Sequence, residues 1–220
     1  MKKYTEVLSS CRLFSGMTED EIMRIMGCMK AAPSPVKDSE PVLREGDILS
    51  FASIILTGNV TLDRPTRMDR EVFGKARPGD IIGIENAFLP GKLDFTATAD
   101  GDVEMLFLGT KQLLEPCPNT CGCHLRMIRN LTLLLAERSK LSREREEHLS
   151  RRSTREKLLS YLVSESAKAQ SNEFSIPLDR QELADFLAVD RSAMSSELSR
   201  MRADGLIEYS KNHFTLKRSK

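Results

Sequence analysis

Three thiols and an imidazole fall within eight residues: Cys117, Cys121, Cys123 and His124, in the run Cys117-Pro118-Asn119-Thr120-Cys121-Gly122-Cys123-His124. Thiolates and imidazole nitrogens are the ligands that zinc and iron–sulfur centres select. Left unligated, the same thiols can be oxidised, and a position near a helix start favours that reactivity. The Cys-x₃-Cys-x-Cys-His spacing is not that of a zinc knuckle, and the adjacent Cys123 and His124 do not readily chelate one ion together. Three roles therefore stay open: structural, thiol redox sensing, and metal or cluster binding. A cysteine-based thiol or metal enzyme is the alternative this cluster raises. Against it, Cys-x-x-Cys is missing, and His124, His148 and His213 lie far apart with no paired Ser or Asp.

A second constellation runs from Asp179 to Met201. It reads as a helix from Arg180, a tight turn around Ala188 to Asp190, and a second helix from Arg191. Leu183, Ala184 and Leu187 can pack on Met194, Leu198 and Met201, with Ala184 small where the helices cross and Asp190 as N-cap. That leaves Arg191, Ser192, Ser195, Ser196 and Ser199 pointing outward, where short hydroxyls beside an Arg approach base edges and phosphates without hindrance. Arg180 and Arg200 complete the DNA-binding candidates. Two short strands around Lys211-Asn212-His213 follow, which makes the whole a winged helix-turn-helix.

These residues need elements to position them. From Glu40 to about Leu108, short apolar runs alternate with Gly- and Pro-bearing breaks such as Glu45-Gly46-Asp47, Thr57-Gly58-Asn59 and Asp100-Gly101-Asp102. The spacing predicts an antiparallel β module, with strands at Ile48-Leu49, Ser53–Leu56, Val60–Leu62, Glu71–Phe73, Asp80–Ile82, Phe95–Ala99 and Val103–Leu108. Before it, Thr18 and Glu21 form a capping box for a helix whose Ile22, Ile25, Met26 and Met29 share one face. From about Cys123 to His148 the chain reads as one helix without Gly or Pro, about 39 Å long at 1.5 Å per residue. Leu125, Ile128, Leu131 and Leu135 give it an apolar seam that a symmetric twin would cover, so a homodimer is expected. Ser153 or Thr154 caps a further helix, and Phe174–Leu178 reads as a short edge strand.

Composition narrows the function class. The chain has 220 residues with 40% hydrophobic, 30% charged and 5% aromatic side chains and no Trp, which fits packed domains and argues against carbohydrate platforms. No run of about 18 apolar residues and no signal-peptide pattern are visible, so no membrane span is expected. The odd count of five Cys points to reduced thiols and a cytoplasmic location. Residues 1–115 carry 14 basic and 18 acidic side chains, whereas residues 150–220 carry 13 and 10. An acidic front and a basic rear suit a C-terminal part that meets a polyanion.

The order of these segments resembles the CRP/FNR superfamily of bacterial transcription regulators over residues 5–216. Arg77-Pro78-Gly79-Asp80-Ile81-Ile82-Gly83 is similar to the segment leading into that family's phosphate-binding cassette. Ile55-Leu56-Thr57-Gly58-Asn59-Val60 is similar to the strand before it, and Leu13–Thr18 to its helical lead-in. The resemblance implies an α+β fold: an N-terminal antiparallel β-roll of cupin or jelly-roll type over 1–115, a Cys-rich junction and long dimerisation helix over 116–149, and a C-terminal winged helix-turn-helix over 150–220. It further implies a dimer on a palindromic double-stranded DNA operator, RNA polymerase as a partner, and a small effector held by Gly83, Glu85, Asn86, Lys92, Thr96, Leu141 and Ser142.

Departures from the family pattern bear on the effector. One residue separates Gly83 from Glu85, and Asp94 and Phe95 stand where the cassette closes with an Arg. A carboxylate repels a phosphate, and Lys92 lacks the fork that fits one. Cyclic AMP is therefore disfavoured, and a different small effector or a redox signal is expected to gate DNA binding. Ser192 and Ser196 replace the Glu and Arg that the familiar recognition helices carry, so a different half-site is expected.

Overall fold

The computed structural model describes residues 1–67, 69–89, 91–115 and 122–217. Two compact units divide the chain, Met1–Ala136 and Glu137–Lys220, with the boundary inside a long helix.

In the first unit, helices α1 (Thr5–Ser10) and α2 (Glu19–Cys28) precede the sheet. The capping box on α2 forms: the Glu21 amide donates to Thr18 Oγ1 at 3.3 Å and the Thr18 amide to Glu21 Oε2 at 2.9 Å. Six strands follow, β1 (Pro33–Val36), β2 (Pro41–Leu43), β3 (Phe51–Pro65), β4 (Arg70–Ala76), β5 (Ile81–Ile82) and β6 (Thr96–Gly109), all antiparallel in one sheet. The short helices α3 (Ile84–Phe88) and α4 (Thr110–Leu114) flank β6, and α5 runs from Gly122 to Leu149.

The strands differ from the expected set in an instructive way. Ser53–Leu56 and Val60–Leu62 belong to the one strand β3, and Phe95–Ala99 and Val103–Leu108 largely merge into β6. Thr57-Gly58-Asn59 is a bulge, not a hairpin turn: the β3–β6 register shifts on both sides of Thr57. A Cβ on Gly58, which sits at φ +77°, would lie 2.6 Å from the Val103 side chain and 2.8 Å from the Asp102 carbonyl. Glycine there lets the two long strands bend together. Ile48-Leu49 forms no strand; Leu49 is buried while Ile48 stays 75% exposed in the loop after Gly46.

Alternation along the bent strands sorts two cores. Ile54, Leu56, Leu106 and Leu108 face the helices, packing with Leu8, Phe14, Ile22, Ile25, Met26 and Met127. Ile55, Val60, Val103 and Met105 face the roll interior with Leu43, Leu49, Ile82 and Leu93. Burial on both faces explains why Ile54-Ile55-Leu56 reads as an unbroken apolar run.

In the second unit, α6 (Thr154–Ala169) starts at Ser153, whose hydroxyl accepts from the Glu156 amide at 3.2 Å. Strand β7 (Glu173–Ser175), helices α7 (Arg180–Phe186) and α8 (Arg191–Ala203) and the hairpin β8 (Ile207–Ser210) and β9 (His213–Leu216) complete it, the strands ordered β7-β9-β8. Leu158, Tyr161, Leu162, Phe174, Leu183, Ala184, Leu187, Met194, Leu198, Met201, Ile207 and Phe214 make one core. Among the described residues no helix is long and apolar enough to cross a membrane.

Candidate nucleic-acid interface

The turn between α7 and α8 sets where the outward side chains of α8 begin. Ala188 takes the left-handed conformation at φ +49°, its amide donating to the Asp185 carbonyl at 3.2 Å and that of Val189 to Ala184 at 3.0 Å. That pair of bonds is the left-handed helix ending usually given to glycine. Two residues on, Asp190 Oδ1 accepts from the Ala193 amide at 2.8 Å and from the Ser192 hydroxyl. The Ser192 hydroxyl first, and the Ala193 amide next, hold the Asp190 carboxyl below the usual carboxylate range. The cap is thus a fixed anion at the start of α8.

Met194, Leu198 and Met201 are fully buried at i, i+4 and i+7. Arg191, Ser192, Ser195, Ser196, Ser199 and Arg200 are all exposed. Ser195 Oγ donates to the Arg191 carbonyl at 2.9 Å and Ser199 Oγ to the Ser195 carbonyl at 3.1 Å, so each hydroxyl hydrogen is committed to the helix backbone while its oxygen can still accept. Arg155 on α6 pairs with Glu197 and, at 2.7 Å, with Asp204, bracing α8 from behind at two points. Arg200, 72% exposed at its side chain, makes only a 3.4 Å pair with Glu197.

Arg180 sits differently from its fellow candidates. Its guanidinium lies 5.1 Å from the ring centres of both Tyr209 and Phe214, and Nη2 donates to the Lys211 carbonyl at 2.8 Å. Nη1 is buried without a hydrogen-bond partner, and burial lowers the pKa of the group. Arg180 therefore engages the hairpin and does not stand out with the α8 face.

In the first unit, Gly83 takes φ +70° as the N-cap of α3. A Cβ there would lie 2.8 Å from Leu49 Cδ1 and 3.1 Å from Leu43 Cδ1, so leucines line that side of the backbone. Glu85, Asn86 and Thr96 are half-buried and Lys92 is exposed. Thr96 Oγ1 accepts from Arg70 Nη2 at 2.9 Å and from the Glu45 amide at 3.3 Å. Arg70, missed in the sequence, is itself engaged by Asp63 and, at 2.9 Å, by Glu45. Only the β3–β4 pairing brings it there, and no local signal announces it. Leu141 and Ser142 are exposed and belong to the other unit.

The cysteine constellation is only partly within reach: Cys117 and Cys121 lie outside the described residues. Cys123 is 5% exposed, in the core that also holds Met127 and Leu131, and the Glu21 carboxylate accepts from the Thr18 amide at 2.9 Å and from Arg126 Nη1 at 3.0 Å. Of the three roles left open for the cluster, burial of Cys123 favours the structural one at that residue. His124 is 2% exposed, with Nε2 bonded to the Gln112 carbonyl at 2.8 Å and Nδ1 buried without a partner. Among the described residues no three His, Cys, Asp or Glu side chains gather as a metal would require.

The expected seam on α5 also needs correction. Leu131 is 2% exposed in the first unit's own core, and Leu135, half-buried, packs against that same core. Leu125 is 52% exposed and Ile128 half-buried, and Leu133, overlooked in the sequence, is 50% exposed. Spacings of three and four identify an apolar stripe but not which surface covers it.

Two family models match the chain: a cyclic nucleotide-binding domain over residues 34–118 and a Crp-like helix-turn-helix domain over 156–219. The chain belongs to the CRP/FNR superfamily of transcription regulators. The transcriptional activator protein FnrL of Cereibacter sphaeroides is 28% identical over 181 residues, covering 76% of this chain and 69% of the relative. The nitrogen fixation regulation protein FixK of Bradyrhizobium diazoefficiens is 25% identical, covering 76% and 70%. In fold, the catabolite activator protein of Thermus thermophilus matches with a TM-score of 0.51 at 19% identity, covering 94% of this chain and 93% of that one. Family membership makes this chain a DNA-binding transcription regulator with an effector-binding domain, not an enzyme.

Proposed function

We propose that the chain acts as a cytoplasmic homodimer that binds a palindromic DNA operator sequence-specifically, gated by a small effector other than cyclic AMP or by thiol redox chemistry. The observation that carries the DNA reading is the two-sided α8: Met194, Leu198 and Met201 buried, with Arg191, Ser192, Ser195, Ser196 and Arg200 exposed opposite them. Arginine supplies the bidentate donor that guanine accepts, and the Ser192 and Ser195 oxygens, their hydrogens committed to Asp190 and the Arg191 carbonyl, supply small acceptors at the groove floor. Dimerisation is supported by the exposed Leu125 and Leu133 on α5, a helix of 28 residues. A two-fold dimer reads two half-sites, hence a palindrome, and a transcription regulator seated there has RNA polymerase as its partner.

Several features speak against cyclic AMP. Leu43 and Leu49 crowd Gly83, Asp94 is exposed beside the cassette, and Arg70 is engaged by two carboxylates. An arginine so neutralised has little attraction left for a phosphate.

The test is selection of duplexes from a random pool by the purified full chain, followed by titration of the winner against a scrambled duplex at several salt concentrations. A palindromic winner, bound more tightly than the scramble and more weakly as salt rises, is the expected result. Equal affinity for both duplexes would remove sequence reading from the proposal.

A further inference from the structure

Helix α7 has only seven residues, so its last carbonyls are a large part of its backbone, and they end at the turn that launches α8. Four consecutive carbonyls there are held by two cationic side chains from other helices. Arg145 on α5 donates through Nε to Phe186 O at 3.0 Å and through Nη2 to Asp185 O at 3.2 Å. Lys157 on α6 donates through Nζ to Leu187 O at 3.0 Å and to Ala188 O at 3.4 Å. The carbonyl end of a helix carries partial negative charge and unsatisfied acceptors, so two cations there are favoured twice over.

The clamp has a packed base. The Arg145 guanidinium stacks 5.5 Å from the centre of the Phe186 ring. His148, one turn further along α5, bonds Ser160 Oγ through Nδ1 at 2.8 Å and meets the rings of Tyr161 and Phe186. Glu144 on α5 and Lys168 on α6 pair at 2.9 Å beside them. The last turns of α5, the body of α6 and the end of α7 are therefore keyed together at one point. That point is the segment Asp185 to Ala188, whose last residue is a non-glycine in the left-handed conformation, two residues before the Asp190 cap.

We propose that Arg145 and Lys157 are positioning residues for DNA reading. By gripping the carbonyls of Asp185 to Ala188 they fix the left-handed turn and hence the angle at which α8 presents Arg191 and the serines. Neither cation is spent on DNA phosphate. The inference rests on the DNA reading proposed above and deepens it: sequence discrimination depends on two residues that touch no base.

The test uses the full chain, the duplex won by selection and a scrambled duplex, with Arg145→Met and Lys157→Met singly and together. These changes keep an unbranched apolar stem and remove the charge and the donors. Affinity for the selected duplex should fall about tenfold in the double variant, while affinity for scrambled DNA and the salt slope stay at the wild-type values. Arg145→Lys, which restores charge and a donor, should recover part of the loss. A purely structural role would lower melting temperature without changing the ratio of selected to scrambled binding, and that result would overturn the proposal. A salt slope reduced by about one for either residue would overturn it as well, since that marks a phosphate contact. Should the double variant fail to fold, Lys157→Gln gives the same readout, with an unchanged binding ratio again counting against the clamp. If the wild-type chain itself selects no sequence, the DNA reading fails, a result separate from failure of the clamp.

Discussion

On α8 the side chains that would meet a ligand lie within the ten residues 191–200 and share one side of the helix, whereas in the roll the contacts join distant stretches: Gly83 with Leu43 and Leu49, and Arg70 with Glu45 and Thr96. The first arrangement is written in local periodicity, because a 3.6-residue repeat with buried Met194 and Leu198 leaves no choice of outward face. The second is written in strand pairing. The bulge at Gly58 and the register of β3 against β4 decide which residues line the roll, and neither is a local property. A recognition helix can thus change its bases by single substitutions, while a roll changes its ligand by repacking.

The contrast can be sharpened first where the roll is most dependent on one backbone atom. Gly58→Ala meets Val103 and Asp102 at under 3 Å from a left-handed backbone, and should destabilise the chain by about 3 kcal/mol in denaturant unfolding. The same change at Gly27 in α2, where a Cβ meets nothing within 4 Å, should instead stabilise by about 0.5–1 kcal/mol. Equal effects at the two sites would mean that the β3–β6 bend is not the close approach described.

Arg191→Ala tests the other side. It should weaken binding to the selected duplex by about 1–3 kcal/mol, relax preference at one base position and leave the unfolding midpoint unchanged. Unchanged duplex affinity would take Arg191 out of the reading set.

A smaller effect is expected from pH in the second unit. Burial foremost, and then the Lys168 ammonium, push His148 below its ordinary value of 6.5. A histidine whose folded pKa is depressed contributes stability that is present above 6.5 and is lost as pH falls towards the folded value, because the unfolded chain binds the proton first. Unfolding free energy should therefore decline from pH 7 to 5.5 by up to about 1 kcal/mol, and His148→Gln should remove that component of the slope. A slope identical in the variant would show that His148 is not its source.

The smallest expected change is at the turn. Ala188→Gly relieves the left-handed backbone at φ +49° but loosens the unfolded chain, for a net gain of about 0.5 kcal/mol in thermal unfolding. A loss of stability would mean that the Lys157 grip, and not the residue type, already absorbs the strain.

By itself the sequence determined the features governed by short-range rules. The capping boxes at Thr18, Ser153 and Asp179, the Asp190 cap, the two faces of α8 and the hairpin after Gly205 all follow from residue types a few positions apart. So did the family, since its signature is an order of such segments. Tertiary structure alone decided the rest. It turned Gly58 from a turn into a bulge, buried Cys123 in the core of the first unit and folded Arg180 onto Tyr209 and Phe214. It also sent Leu131 inward and set Arg145 and Lys157 on the end of α7. Each of these is a contact between residues far apart in the chain, and periodicity says which face is apolar or charged but never what will cover it.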